Sequence, residues 1–359
     1  MCGIVGLVSS KKVKENGERL KKGICLMNDR GNGLGAGYAA YGIYPGYEDF
    51  YALHIMASNQ DLLNEAGKFV KRWFEVIQEQ PVPVWNKKIK DHPSFRLYFV
   101  KPAQPSEKRL PGEENDDNYV VSKCMQLNKT IKGAYPYSNG KNMGVFKGVG
   151  TPIDIYEFFQ LDQYAGYSWL GHNRFPTNTP GWWGGAHPFN TLEWSIVHNG
   201  EISSYGINRR YLESYGYYCL LQTDSEAIAY LIDLLIRRHG LSIEEATTVL
   251  APPYWSTIDR IADPEEKDFL TTLRVTYEQA MLNGPFAVLT AFDKGMFSLT
   301  DNTKLRPMTS ATYDGYTYFA SEIASLYAME NDLQAVITPR AGEPVIALFD
   351  QEAMQVINS

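Results

Sequence analysis

The chain opens Met-Cys-Gly-Ile-Val-Gly, and this start constrains the rest more than any later stretch. Removal of Met1 makes Cys2 the N-terminal residue, carrying a thiol and a free α-amine together. An α-amine titrating at about 7.7–8.0 is well matched to accept a proton from a thiol near neutral pH. One residue then supplies both nucleophile and base. The plainer alternative is a small apolar cysteine opening a strand over residues 4–9. The rest of the chain has to discriminate between the two.

At 359 residues the chain is long enough for one large core or two domains. Its 34 Lys and Arg against 41 Asp and Glu give a net charge of −7, and no long basic run interrupts this. A nucleic-acid partner is therefore not expected. No apolar run approaches the ~18 residues that span a bilayer. No basic region precedes the short apolar start, so a signal peptide is not expected either. Cys2, Cys25, Cys124 and Cys219 are widely spaced and form no CxxC pattern. That usage points to a reducing, cytoplasmic setting without a disulfide framework. The six histidines show no ligand spacing, so no metal site is expected. No flavin, iron–sulfur or nucleotide pattern occurs, and no cofactor is expected.

Along the chain, Val13, Leu20, Ile24 and Met27 give residues 13–28 the spacing of an amphipathic helix. Four glycines follow in the seven residues 31–37, beside Arg30. They mark tight turns or close approaches. A phosphate loop does not fit, because residues 38–43 read as a strand where such a loop would open a helix. Residues 45–165 read as a separate small α+β region. Its expected elements are a strand at 51–57, a helix from an Asn59 cap to about residue 78, and strands at 82–85 and 95–100. A loop over 102–118 follows, then a segment at 119–132 that fits strand or helix equally. The region carries no catalytic constellation. A docking module and a structural embellishment fit it equally.

Residues 171–200 are the densest stretch. Arg174 stands beside a polar turn, equipped to fork onto a carboxylate. Gly181, Gly184 and Gly185 flank Trp182 and Trp183, as in a loop that hinges over a pocket. Asn199-Gly200 ends a strand with a side-chain amide and an unhindered N–H, the parts of an oxyanion hole. Taken alone, that pair reads equally as a type I′ hairpin turn. Thr223 and Glu226 form a capping-box pattern ahead of a helix running to Arg238, with Asp224 in its first turn. A carboxylate is favoured there by the helix dipole, and it can also face an ammonium group.

Together these residues resemble the class II glutamine amidotransferases of the N-terminal-nucleophile hydrolase group, specifically the amidotransferase domain of glutamate synthases. The resemblance rests on Cys2-Gly3-Ile4-Val5-Gly6, Arg30-Gly31, Gly171 to Thr179, Ala186-His187-Pro188, His198 to Ile202 and Thr223 to Glu226, in order. Weaker matches follow at Thr247 to Trp255, Gly284 to Ala287 and Ala320 to Glu322. Asp301 to Pro307 departs from the family's Asp-Arg-Asn-Gly-Leu-Arg-Pro run. The motifs cover residues 1–44 and 166–349. The expected division is an amidotransferase domain of 1–44 and 166–359, with 45–165 inserted.

The resemblance implies an α+β fold, a four-layer αββα sandwich of two facing antiparallel sheets with helices outside. It implies that Arg174 holds the α-carboxylate of L-glutamine and Asp224 its α-ammonium, with a hydrogen bond from Thr177. Cys2 forms a γ-glutamyl thioester, and Asn199 and Gly200 hold the oxyanion. His187 and His198 fall to orienting roles, since nothing in this chemistry requires a third acid–base group. The implied activity is hydrolysis of glutamine to glutamate, with ammonia passed to a separate glutamate synthase-type subunit. Alternatives are a subunit of an N-methylglutamate synthase-type complex, a γ-glutamyl hydrolase, or a regulatory module without turnover.

Overall fold

The computed structural model describes residues 1–85, 88–103, 109–176, 181–221, 223–350 and 354–356. Its centre is the strand Gly3–Ser9, buried along its whole length. A near-continuous apolar run of this kind is expected of a strand covered on both faces. It pairs antiparallel with Ser168–Asn173 on one side and Tyr316–Ala320 on the other. The full seven-stranded sheet runs Gln334–Ile337, Thr309–Tyr313, Tyr316–Ala320, Gly3–Ser9, Ser168–Asn173, Ala36–Tyr41 and Met143–Gly148.

A second sheet of six strands faces it. Its order is Gln355–Val356, Val345–Leu348, Gly295–Thr300, Phe286–Phe292, Trp194–Gly200 and Phe189–Thr191. The two sheets share one core in which Val5 and Leu7 meet Val197, Leu289 and Met296. The approach is close at Gly6, where a Cβ would stand 2.5 Å from Met296 Sδ and 2.7 Å from Leu289 Cδ2. Helices Glu18–Leu26, Pro152–Phe158 and Ile323–Met329 pack on the first sheet. Asp224–Ile232 covers the outer face of the second, and Ile243–Leu250 joins the same core. The result is the α+β sandwich of four layers. Among the described residues no helix is long and apolar enough to cross a membrane.

A third sheet of four strands is built from Phe74–Gln80, Ser94–Pro102, Tyr51–Ala57 and Ala134–Ser138. Helices Gln60–Trp73 and Asp116–Thr130 pack with it. The stretch 45–165 thus contains this sheet, but its strand Met143–Gly148 belongs to the seven-stranded sheet, paired with Ala36–Tyr41. Asn59 caps the first helix by accepting from Leu62 N at 2.9 Å. That helix ends at Trp73, five residues earlier than its spacing suggested, because Phe74–Gln80 pairs with Ser94–Pro102 through a bulge at Val76. Residues 82–85 form no strand, since Pro81 and Pro83 remove two ladder donors. The ambiguous 119–132 segment is helical, and its start cuts into the expected 102–118 loop.

Two other turn expectations differ from the structure. Asn199-Gly200 makes no hairpin: the chain runs on from the strand into the helix Tyr205–Ser214. Thr223 caps Asp224–Ile232 through Ser225 N, but no capping box closes. Glu226 instead accepts from Leu220 N and Leu221 N.

Candidate functional site

Cys2 sits at the mouth between the two large sheets, immediately before Gly3–Ser9. Three residues hold it. Arg30 Nε donates to the Cys2 carbonyl at 3.1 Å, and Arg30 Nη1 pairs with Glu322 Oε1 at 2.6 Å. Phe175 N donates to the Cys2 sulfur at 3.3 Å. The Cys2 nitrogen donates to Asn199 Oδ1 at 3.3 Å. Burial pushes the thiol above its ordinary value, opposed by the Phe175 N–H and by the positive charges of the N-terminus, Arg174 and Arg30. A thiol so raised is mostly protonated at neutral pH, so attack requires a base close to the sulfur. In the structure Met1 precedes Cys2 and is exposed. Its removal leaves the same nitrogen as an amine, already placed against Asn199.

Asn199 and Gly200 close the strand Trp194–Gly200, which pairs with Phe286–Phe292. With its oxygen committed to the Cys2 nitrogen, the Asn199 amide leaves Nδ2 buried and without a partner among the described residues. Gly200 has φ +155°, and a Cβ there would lie 2.0 Å from the Pro285 carbonyl oxygen. Only glycine fits that position.

A cavity of about 210 Å³ runs from Cys2 to Arg174 and Asp224, with Gly200 and Ser225 also in its wall. Arg174 follows the strand Ser168–Asn173 and is 5% exposed. Burial pulls its guanidinium below the ordinary value, opposed by the Cys2 and Asp224 charges. Asp224 is the first residue of its helix, and its Oδ2 accepts from Ile202 N at 3.0 Å. Burial works against its charge, but His198 and the N–H groups of Ile202 and Ser225 outweigh it and hold the carboxyl at about 2. The cavity therefore has a cation and an anion away from its sulfur, a pattern that suits a free amino acid.

His187 and His198 also stand in the wall of this cavity. Both reach one hydroxyl, Ser225 Oγ, at 2.8 and 3.0 Å, and Ser225 Oγ donates to Asp224 Oδ1 at 3.3 Å. His172 packs on His187 with ring centres 4.1 Å apart and bonds to the His198 carbonyl at 3.1 Å. Burial and neighbouring cations keep His187 well below its usual value, and burial takes His172 to about 3. Through the Ser225 hydroxyl, His187 and His198 are joined to Asp224 in one hydrogen-bonded network. Ser225 and His172 carried no sequence signal of this role, because the histidines that reach Ser225 and the carbonyl that His172 reaches lie 26 or more residues away.

The two tryptophans differ from the expected free loop. Trp183 packs against His92, Phe95 and Phe158, and Trp182 meets Tyr135 edge-on at 5.7 Å. Their aromatic partners include residues of the third sheet, which ties the segment down. Thr177 lies outside the described residues.

The family model of class II glutamine amidotransferases matches residues 48–219. That span contains Arg174, His187, His198, Asn199 and Gly200 and runs through the third sheet, whereas the motifs alone had left 45–165 aside. An uncharacterised protein of Archaeoglobus fulgidus is 47% identical over 350 residues, covering 96% of this chain and 91% of that one. A protein of Methanothermobacter thermautotrophicus, provisionally named a glutamine amidotransferase, is 25% identical over 333 residues, with 91% and 93% covered. Among solved structures, the glutamine phosphoribosylpyrophosphate amidotransferase of B. subtilis aligns with TM-score 0.49 and 15% identity. The alignment covers 99% of this chain and 49% of that one, so the chain spans about half of that enzyme's length. Residues 48–219 thus match the class II glutamine amidotransferases as a family.

Proposed function

We propose that the chain hydrolyses L-glutamine at Cys2 and passes the ammonia to a separate glutamate synthase-type subunit. The observation that carries the reading is the pairing of Cys2 N with Asn199 Oδ1, which aims an unpartnered amide donor into the nucleophile's surroundings. Once Met1 is gone, the Cys2 amine takes the thiol proton and the thiolate attacks the amide carbon of glutamine. The Asn199 amide and Gly200 N–H hold the oxyanion. The C–N bond then breaks, the amine returns its proton, and ammonia leaves a γ-glutamyl thioester on Cys2. Water cleaves that thioester to glutamate and the free thiol. Arg174 and Asp224 hold the α-carboxylate and α-ammonium, and Thr177 adds a hydrogen bond.

The partner follows from two points. The motif order resembles glutamate synthases, and this chain carries no recognisable pattern for the acceptor chemistry. The 45–165 stretch, packed on the tryptophan segment through Phe95 and Tyr135, is the proposed place where docking is felt. Turnover of the isolated chain is expected to be low and to rise when the synthase subunit is added. Intact mass after purification should show loss of Met1. Full glutaminase activity from a chain that retains Met1 would contradict the mechanism.

A second expectation concerns anchoring. Arg174→Lys and Asp224→Asn should each raise KM for glutamine at least about tenfold, since lysine cannot reproduce a two-pronged contact. Steady-state kinetics decide it. An unchanged KM in both variants would return Asp224 to a plain helix-start carboxylate.

A further inference from the structure

Lys147 stands in the strand Met143–Gly148 and is 1% exposed. Its ammonium donates to the Gly184 carbonyl at 3.1 Å and lies 4.3 Å over the Phe189 ring. Among the described residues it makes no ion pair. Glu226 lines the same small cavity of about 20 Å³, but its oxygens take up Leu220 N, Leu221 N and the Tyr230 hydroxyl. Burial pulls the Lys147 ammonium down to about 7, partly offset by the Glu226 charge. An ammonium in this setting is costly, and an apolar chain of similar length avoids that cost. The residue is better explained by what its donor holds than by packing.

What it holds is the backbone that seats Arg174. A Cβ built on Gly185, the residue after Gly184, would stand 3.3 Å from Arg174 Nη1 and 2.5 Å from Trp182 Nε1. On the other side, a Cβ on Gly35 would stand 3.0 Å from Arg174 Cδ. The Arg174 side chain thus lies against two glycine backbones, and the Lys147 bond pins the residue next to one of them. Gly37 brings the same pieces together, since its Cβ would meet the His187 carbonyl oxygen at 2.2 Å and Lys147 Cβ at 2.7 Å.

We propose that Lys147 is a positioning residue for glutamine binding, fixing through the Gly184 carbonyl the backbone against which Arg174 presents its guanidinium to the substrate's α-carboxylate. This rests on the reading of the cavity as a glutamine site. The test is Lys147→Met in the mature full-length chain. Cys2 is labelled with the glutamine analogue 6-diazo-5-oxo-L-norleucine over a range of concentrations and, separately, with iodoacetamide, which has no amino-acid end. The expected result is a tenfold or greater rise in the half-saturating analogue concentration, with the limiting rate within threefold. Iodoacetamide labelling should stay within twofold, and the melting temperature should be unchanged or higher. Lys147→Gln, which keeps an N–H donor, should show a smaller rise. A folded Lys147→Met chain with an unchanged half-saturating concentration overturns the proposal. So does a Lys147→Met chain that fails to fold, since the residue would then be structural. Failure of the unsubstituted chain to show saturable labelling is a different result: it removes the glutamine reading of the cavity, and this inference with it.

Discussion

Cys2→Ala is expected to abolish ammonia release from glutamine, a loss of at least ~10⁴-fold in kcat of the kind seen when a covalent nucleophile is removed. The other thiols cannot take over. Cys124 and Cys219 are buried, and burial pushes both well above the ordinary thiol range, Cys124 to about 12. Cys25 is half-buried in the helix Glu18–Leu26, is raised by burial as well, and is not in the wall of the cavity. Cys2→Ser should fail almost as completely, because a hydroxyl ionises far less readily than a thiol beside the same amine. Arg30 and Asn199 hold Cys2 through main-chain atoms, so Cys2→Ala removes only the side-chain contact with Phe175, and Cys2→Ser keeps an acceptor there. Ammonia release measured alongside circular dichroism and melting temperature separates chemistry from folding. Turnover in Cys2→Ala at the unsubstituted rate would end the proposed mechanism.

Cys2 could be singled out in the sequence because the proposed chemistry needs a specific residue at a specific end of the chain. Arg174, Asn199, Gly200 and Asp224 could be singled out as candidates for a related reason: each stands at the end of a strand or the start of a helix that its neighbours announce. Asp314-Gly315 is a dipeptide that favours a tight hairpin, and in the turn between Thr309–Tyr313 and Tyr316–Ala320 both residues take the positive φ it requires. Elsewhere the local pattern could not decide. Trp73 and Phe74 are apolar neighbours that suit helix or strand, and only the partner strand Ser94–Pro102 settles where one ends and the other begins. Lys147 carries no signal in the sequence that marks it as buried. It is buried because Met143–Gly148 pairs with Ala36–Tyr41, about a hundred residues away, and the 184–189 segment covers it. The Ser225 hub has the same origin. Hydrogen bonds between residues 27 and 38 positions apart leave no periodicity to read.

Asn199 offers the sharper test of how the barrier is lowered. Its Oδ1 is engaged by the Cys2 nitrogen, so Nδ2 is the donor left over, buried and unpartnered in the resting site. A buried donor in that state costs about 1–3 kcal/mol. The cost is recovered when an oxyanion forms beside it, and that is what makes such a donor act on the transition state rather than on substrate. Asn199→Ala should therefore lower kcat by about 10²–10³-fold, equivalent to roughly 2.7–4 kcal/mol, with KM within a few-fold. Alanine, however, removes the anchor of the Cys2 amine as well as the donor. Asn199→Asp isolates the two, because a carboxylate keeps an acceptor for the amine and replaces Nδ2 with a second acceptor. It also sets a negative charge where negative charge develops, so its kcat should fall at least as far as that of alanine. If Asn199→Asp instead kept most of its kcat while Asn199→Ala lost it, the side chain would be an anchor for the amine alone. The oxyanion would then have to be held by the N–H of Gly200, which ends the same strand in the wall of the cavity.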